Sequence, residues 1–303
     1  MVFRVSVRLP AQAQSTLDSL YQQFDQCRDI ADPIQRVHKF RNAKDREVVG
    51  FCAAALAFGR VTSILQSIDV LLAVMGDSPA QFVRQFDVSE HRHTIGSITH
   101  RWIHGRDLLA LLSILQRMLL TSGSIETFFN EGYDASMPDI GDALESFSSR
   151  ALGVDLDSVY GGDRRRNVSY FFSRPSKGSA CKRLNLYLRW MVRRDQRDLG
   201  VWATVRPDQL VIPLDTHIIR VGQCLGLTSY RSPGWAMARD ITNELRRFDP
   251  IDPVKYDFSL YQVSMMDQCG FTTSRRDDLC PLRGWCRPGP RRRRSFVRPS
   301  GHH

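Results

Sequence analysis

Residues 45–61, DREVVGFCAAALAFGRV, place Val48, Phe51, Cys52, Ala55, Leu56 and Phe58 on one broad apolar stripe at helical spacing. Asp45 reads as the N-cap of this helix and Glu47 as an acid in its first turn. The same period recurs along the chain. TSILQSIDVLLAVMG closes on Gly76, and SPAQFVRQF opens on Ser78 with proline at the first helical position. GRDLLALLSILQRMLL, SIETFF, DIGDALESFSSRAL, CKRLNLYLRWMVRR, PGWAMARDITNELRRF and DPVKYDFSLYQVSMM extend the pattern. Strand-like alternation occurs only in FRVSVRL, residues 3–9, which has no evident partner, and no internal repeat is visible. The fold class is all-α, with a break expected in the polar, glycine-bearing stretch around residues 151–179.

A chain of 303 residues can bury a sizeable core as one large domain or two moderate ones. Its 42% hydrophobic and 24% charged content excludes disorder as the main state. No apolar run of membrane-spanning length and no secretory leader pattern are present, so a cytoplasmic protein that meets no membrane is expected. Seven scattered cysteines favour a reducing compartment.

The net charge of +10 is uneven. Residues 161–206 hold twelve basic side chains against three acidic ones, and a second cluster comprises Arg287, Arg291, Arg292, Arg293, Arg294 and Arg298. The remainder is mildly acidic, which is the footprint of one face meeting a polyanion.

Two side chains could carry chemistry. In VIPLDTHIIRVGQCLGL, Asp215 follows Pro213 and precedes an apolar helical face, so it can cap a helix, face a cavity, or do both. Lys182 opens the most basic helix, behind the turn that contains Pro175, Gly178 and Ser179. Its apolar neighbours Leu184, Leu186 and Leu188 would favour a neutral, nucleophilic amine, while a phosphate-binding surface lysine is the plainer alternative. The glycine turn and the free N–H groups of the helix start can hold a phosphate without reading base sequence.

LDTHIIRVGQCLGL resembles the segment after the hairpin in the helix-hairpin-helix (HhH-GPD) DNA glycosylase superfamily, where an acid directly before Thr-His opens a helix lining the active site. SACKRLNLYLRWMV is similar to its hairpin-to-helix segment, with Lys182 at the position of the catalytic lysine in bifunctional members. Together with PLDTH and DPVKYDF, the pattern looks like a family of unknown function placed in that superfamily, DUF2400. In the amino-terminal part, Gly59 and Arg60 match the place where a residue wedges into the gap left by a flipped base. The usual Leu-Pro-Gly-Val-Gly hairpin is replaced by residues 176–180, SKGSA, with one glycine. The superfamily's four-iron cluster needs four cysteines. Cys269 matches the first and Cys280 and Cys286 the last two, whereas Asp277 stands in place of the second, so a packed relic loop or a zinc site fits better than the cluster.

The resemblance implies a two-lobed helical bundle with the active site in the cleft between lobes. Residues 1–44 would belong to the first lobe, 45–268 would form the glycosylase-like domain, and 269–303 would be a cysteine-containing loop and basic tail. It further implies a monomer acting on double-stranded DNA that carries a damaged or mismatched base, with Asp215 and Lys182 catalytic and no cofactor required. Lys177, Gly178, Ser179, Arg183, Arg189, Arg193, Arg194, His217, Arg220 and Arg60 would contact DNA, and Trp190, Trp202 and Trp102 would stack on the extruded base. A non-catalytic nucleic-acid-binding protein with the same fold and an RNA-binding role are the alternatives.

Overall fold

In the computed structural model, which describes residues 9–26, 30–162, 167–266 and 280–286, the periodic segments are helices. In chain order they are α1 (Ala13–Asp25), α2 (Ile34–His38), α3 (Ala43–Ala55), α4 (Val61–Met75), α5 (Pro79–Arg84) and α6 (Val88–His91). A two-residue hairpin follows, β1 (Thr99–His100) with β2 (Ile103–His104). The chain continues as α7 (Gly105–Ser122), α8 (Ile125–Asn130), α9 (Gly141–Leu152), α10 (Asp157–Tyr160), α11 (Val168–Phe171), α12 (Lys182–Val192), α13 (Thr216–Leu225), α14 (Trp235–Arg246) and α15 (Asp257–Met265). With 59% helix and 2% strand the fold is all-α. No helix among the described residues is long and apolar enough to cross a membrane. The alternating segment at residues 3–9 lies almost wholly outside the described residues, as do Cys269, Asp277 and the arginines from 287 onward.

Helix α3 starts three residues earlier than its sequence signature suggests. Asn42 caps it, its side-chain oxygen accepting from the Lys44 N–H at 2.9 Å. Asp45 is thereby free to accept from the Ala80 N–H in the first turn of α5, at 2.8 Å. Glu47 also serves a neighbour rather than its own helix. Its buried carboxylate accepts from the Ile125 and Glu126 N–H groups at the start of α8 and from Trp202 Nε1 at 2.8 Å. The positive end of α8 is therefore satisfied by an acid supplied from α3.

From Glu47 to Ala55 every residue of α3 is buried, because neighbours pack on all its sides. Its contact with α12 is close: a Cβ on Gly50 would stand 2.8 Å from Met191 Cε. Helices α5, α7, α8 and α9 pack successively around this part of the core, while α13 packs on α15. Helix α1 lies against α15 and the turn before it, with Gln14 Nε2 donating to the Phe248 carbonyl at 2.9 Å and Tyr256 Oη donating to Asp18 at 2.8 Å. Apolar Leu17, Leu20 and Phe24 bury against the carboxyl-terminal helices, so long-range burial decides the docking of α1.

The hairpin is held by a backbone crossing at Gly105. A Cβ there would fall 2.2 Å from the Ile95 carbonyl oxygen and 2.3 Å from that of Gly96. Neither backbone atom can swing aside. Gly105→Ala is therefore expected to destabilise the fold by about 1–3 kcal/mol. Urea unfolding measures this, and an unchanged midpoint would show that the 95–105 segment moves freely.

Candidate active site

Helices α12 and α13 start on the same side of the molecule, and a cavity of about 690 Å³ opens between their first turns, α15 and the ends of α3 and α4. Asp32, Phe58, Lys182, Trp190, Asp215 and Tyr261 are among its lining residues. Its size falls within the range of about 300–1,000 Å³ usual for ligand sites. Lys182 and Asp215, thirty-three positions apart in sequence, share it because each sits at the head of its helix.

Asp215 is the N-cap of α13, and both cap bonds land on one oxygen. Oδ1 accepts from the His217 N–H at 2.8 Å and from the Ile218 N–H at 2.9 Å, while Oδ2 takes no hydrogen bond among the described residues. The carboxylate is thus fixed by its helix and still presents an oxygen to the cavity. Lys182 is the first residue of α12, entered through Cys181 at φ 49°, and Nζ donates weakly to the Ala57 carbonyl at 3.4 Å. That bond draws the amine toward the end of α3, the cavity's opposite wall.

Several expected DNA contacts are placed elsewhere. Arg189 and Arg193 are each 3% exposed and lie inside an ion-pair network, which corrects their assignment to the DNA face. Arg189 pairs with Asp257 and, at 3.3 Å, with Asp198. Arg193 pairs with Asp198, with Asp195 at 2.8 Å and with Asp252 at 2.8 Å. Buried guanidinium groups need such partners, and here the acids come from 195–198 and 252–257. His217 is tied inward, Nδ1 meeting Ser264 Oγ at 3.0 Å with its ring edge-on to Tyr261. Arg60, Arg194, Arg220, Lys177 and Gly178 remain exposed, and Gly178 has φ 75° in the turn ahead of α12. The Ser179 hydroxyl accepts from the Cys181 N–H at 3.1 Å and so braces that turn.

The three tryptophans also separate. Trp190 is wholly buried against the cavity, and its indole N–H has no partner among the described residues. Trp202 is a core residue donating to Glu47 and packed on Tyr187 and Phe129, away from the cavity. Trp102 is exposed at the hairpin tip.

Asp32, Asp257 and Tyr261 line the cavity without a role in the sequence reading, and Phe58, read there only as part of an apolar stripe, joins them. Asp257 stood within the DPVKYDF stretch, but only the fold turns it toward Asp215. Burial pushes its carboxyl up to about 6, with the Asp215 charge adding to the rise against the pull of Arg189. A carboxyl raised on folding stabilises the folded state at acid pH, and that contribution fades as pH rises from its unfolded value near 4 through 6. The melting temperature of Asp257→Asn relative to wild type should therefore improve steadily from pH 4 to pH 7; a constant difference would mean that the carboxyl does not titrate there.

In the carboxyl-terminal loop, Cys286 is joined to Cys224 of α13, with Cα atoms 5.2 Å apart, and Cys280 lines the same small cavity. This pairing departs from the scattered reduced cysteines expected. Among the described residues no three metal-ligating side chains converge.

Comparison with known proteins adds one finding. A family model described as a protein of unknown function (DUF2400) matches residues 32–266. No curated protein matches the chain, and no solved structure does.

Proposed function

The chain belongs to the DUF2400 family of unknown function, so its chemistry has to be argued from its own cavity, and we propose that it is a helix-hairpin-helix type DNA glycosylase. The observation that carries this reading is that Lys182 and a carboxylate whose second oxygen is left open stand at the heads of two helices lining one cavity. On this reading α12 and α13 bound the cleft between two lobes, and the exposed Lys177–Gly178 turn with Arg60, Arg194 and Arg220 meets the phosphates of double-stranded DNA.

A damaged or mismatched base is extruded into the cavity, against Trp190 and Tyr261, and its glycosidic bond breaks through a cationic sugar transition state. Oδ2 of Asp215 stabilises that charge in a site shielded from water. The neutral Lys182 amine attacks C1′, the base leaves with the bonding electron pair and takes one amine proton, and cleavage of the C1′–O4′ bond, with the second proton passing to O4′, yields a Schiff base on Nζ that permits strand cleavage. Asp257, hydrogen-bonded by Arg189, adds negative potential behind Asp215 and orders the α15 wall. The protein's own side chains suffice for these steps.

The test is borohydride trapping and base-release assays on a panel of lesion-bearing duplexes. Wild type should form a covalent adduct that Lys182→Gln abolishes. Base release that survives Lys182→Gln and is lost in Asp215→Asn would assign a monofunctional enzyme. Duplex binding without base release on any lesion would leave a DNA-binding protein with a glycosylase-like fold.

A further inference from the structure

At the edge of the cavity the hairpin tip carries Arg101 and Trp102, two residues the catalytic reading does not use. Trp102 is 41% exposed although it is large and aromatic. One face of its ring lies on Phe58, with centroids 4.5 Å apart and planes 28° from parallel, and its edge meets Tyr170 at 5.5 Å. Phe58 in turn lines the cavity with Lys182 and Asp215, so the stack begins at the site and ends in solvent.

The platform is rigid. His100 is buried behind it, its ring nitrogens meeting Ser67 Oγ at 2.9 Å and the Phe58 carbonyl at 3.0 Å. Asn167 Nδ2 donates to the Trp102 carbonyl at 3.1 Å. Arg101 occupies the left-handed region at φ 56°, a conformation that a side-chain-bearing residue rarely keeps. Its guanidinium lies over the Trp102 ring, 5.1 Å from the centroid, and its side chain runs past Gly59, where a Cβ would meet it at 3.1 Å.

Two guanidinium groups, those of Arg101 and Arg183, lie against the rings of the platform. Arg183 lies over Tyr170 at 3.3 Å with one guanidinium nitrogen buried and without a partner, and Arg60 begins α4 next to Gly59. None of Arg60, Arg101, Lys182 and Arg183 forms an ion pair with a carboxylate among the described residues. An exposed aromatic ring with cations nearby that have no carboxylate partner matches a π-face attached to a phosphate chain.

We infer that Trp102, backed by Phe58 and flanked by Arg101, is a stacking site for a second, unpaired nucleobase of the DNA strand that crosses the cavity mouth. The occupant is a base left without its partner when the duplex opens, held by stacking on the exposed part of the Trp102 ring while Arg101, which swings from over the ring, and Arg60 take the adjoining phosphates. This rests on the reading that the cavity face meets DNA, but it concerns binding and not bond cleavage.

The test uses the full chain carrying Lys182→Gln, so that no chemistry intervenes, and labelled duplexes that are fully paired or carry one bulged nucleobase. Fluorescence anisotropy should show tighter binding of the bulged duplex by about tenfold, the range expected of one stacked base. Trp102→Leu should remove that preference and leave the paired-duplex affinity unchanged, whereas Trp102→Phe should keep most of it. Tryptophan emission should be quenched by the bulged duplex in the Trp102-containing protein and much less in Trp102→Phe. A preference untouched by Trp102→Leu overturns the proposal, as does tighter binding of the matching RNA. A Trp102-dependent preference in a protein that releases no base sustains this site and sinks only the glycosylase reading.

Discussion

Asp215→Asn should leave the protein as stable as the wild type and reduce base release by about 10²–10³-fold, the usual cost of removing one electrostatic contact to a developing charge. Asparagine is as good an N-cap as aspartate, and its side-chain oxygen can keep both bonds that Oδ1 now accepts from His217 and Ile218. Only the charge on the open side of the carboxylate is lost. Asp215→Ala should lose the same activity and also about 1 kcal/mol of stability, because the helix start is then uncapped. Comparing the two variants by thermal melting and by single-turnover base release separates the cap from the chemistry. Equal activity of Asp215→Asn and wild type would reduce Asp215 to a cap.

Arg193→Ala should destabilise the fold by about 3–5 kcal/mol, since it leaves the buried Asp198 with Arg189 alone and takes from Asp195 and Asp252 the cation they share. That loss corresponds to a fall of order 10 °C in melting temperature for a chain of this size. Arg194→Ala, one residue along, should melt with wild type, weaken duplex binding and lower the salt-dependence slope of binding by about one. Differential scanning calorimetry and anisotropy at several salt concentrations read both effects. An Arg193→Ala protein of normal stability and poor DNA affinity would return Arg193 to the surface role that its sequence neighbourhood suggests.

The contrast between these neighbours shows how much of the site was legible in the sequence. The basic excess across residues 161–206 is real, yet part of it is internal: Arg189, Arg193 and Arg197 are buried and paired with acids. Charge counting along a segment cannot separate a solvated arginine from one neutralised by an aspartate many positions away. The same holds for the tryptophans, where Trp202 is committed to the core by Glu47 and Trp102 is left in solvent by the hairpin that carries it. That hairpin escaped pattern reading because each strand is two residues long, too short for alternation to register.

What the sequence determined by itself is local. Apolar spacing made the helices, and Gly76 and Gly226, both at positive φ, ended two of them. Asp215 capped α13 because an acid before a helical run satisfies N–H groups two and three residues ahead. Tertiary structure decided the rest. It brought Lys182 and Asp215 to one cavity, added Phe58, Asp257 and Tyr261 to its wall, and withdrew Arg189 and Arg193 from the surface. The reason is that backbone hydrogen bonding acts over a few residues and follows composition, whereas the fate of a charged or aromatic side chain depends on which distant partners the packed helices place beside it.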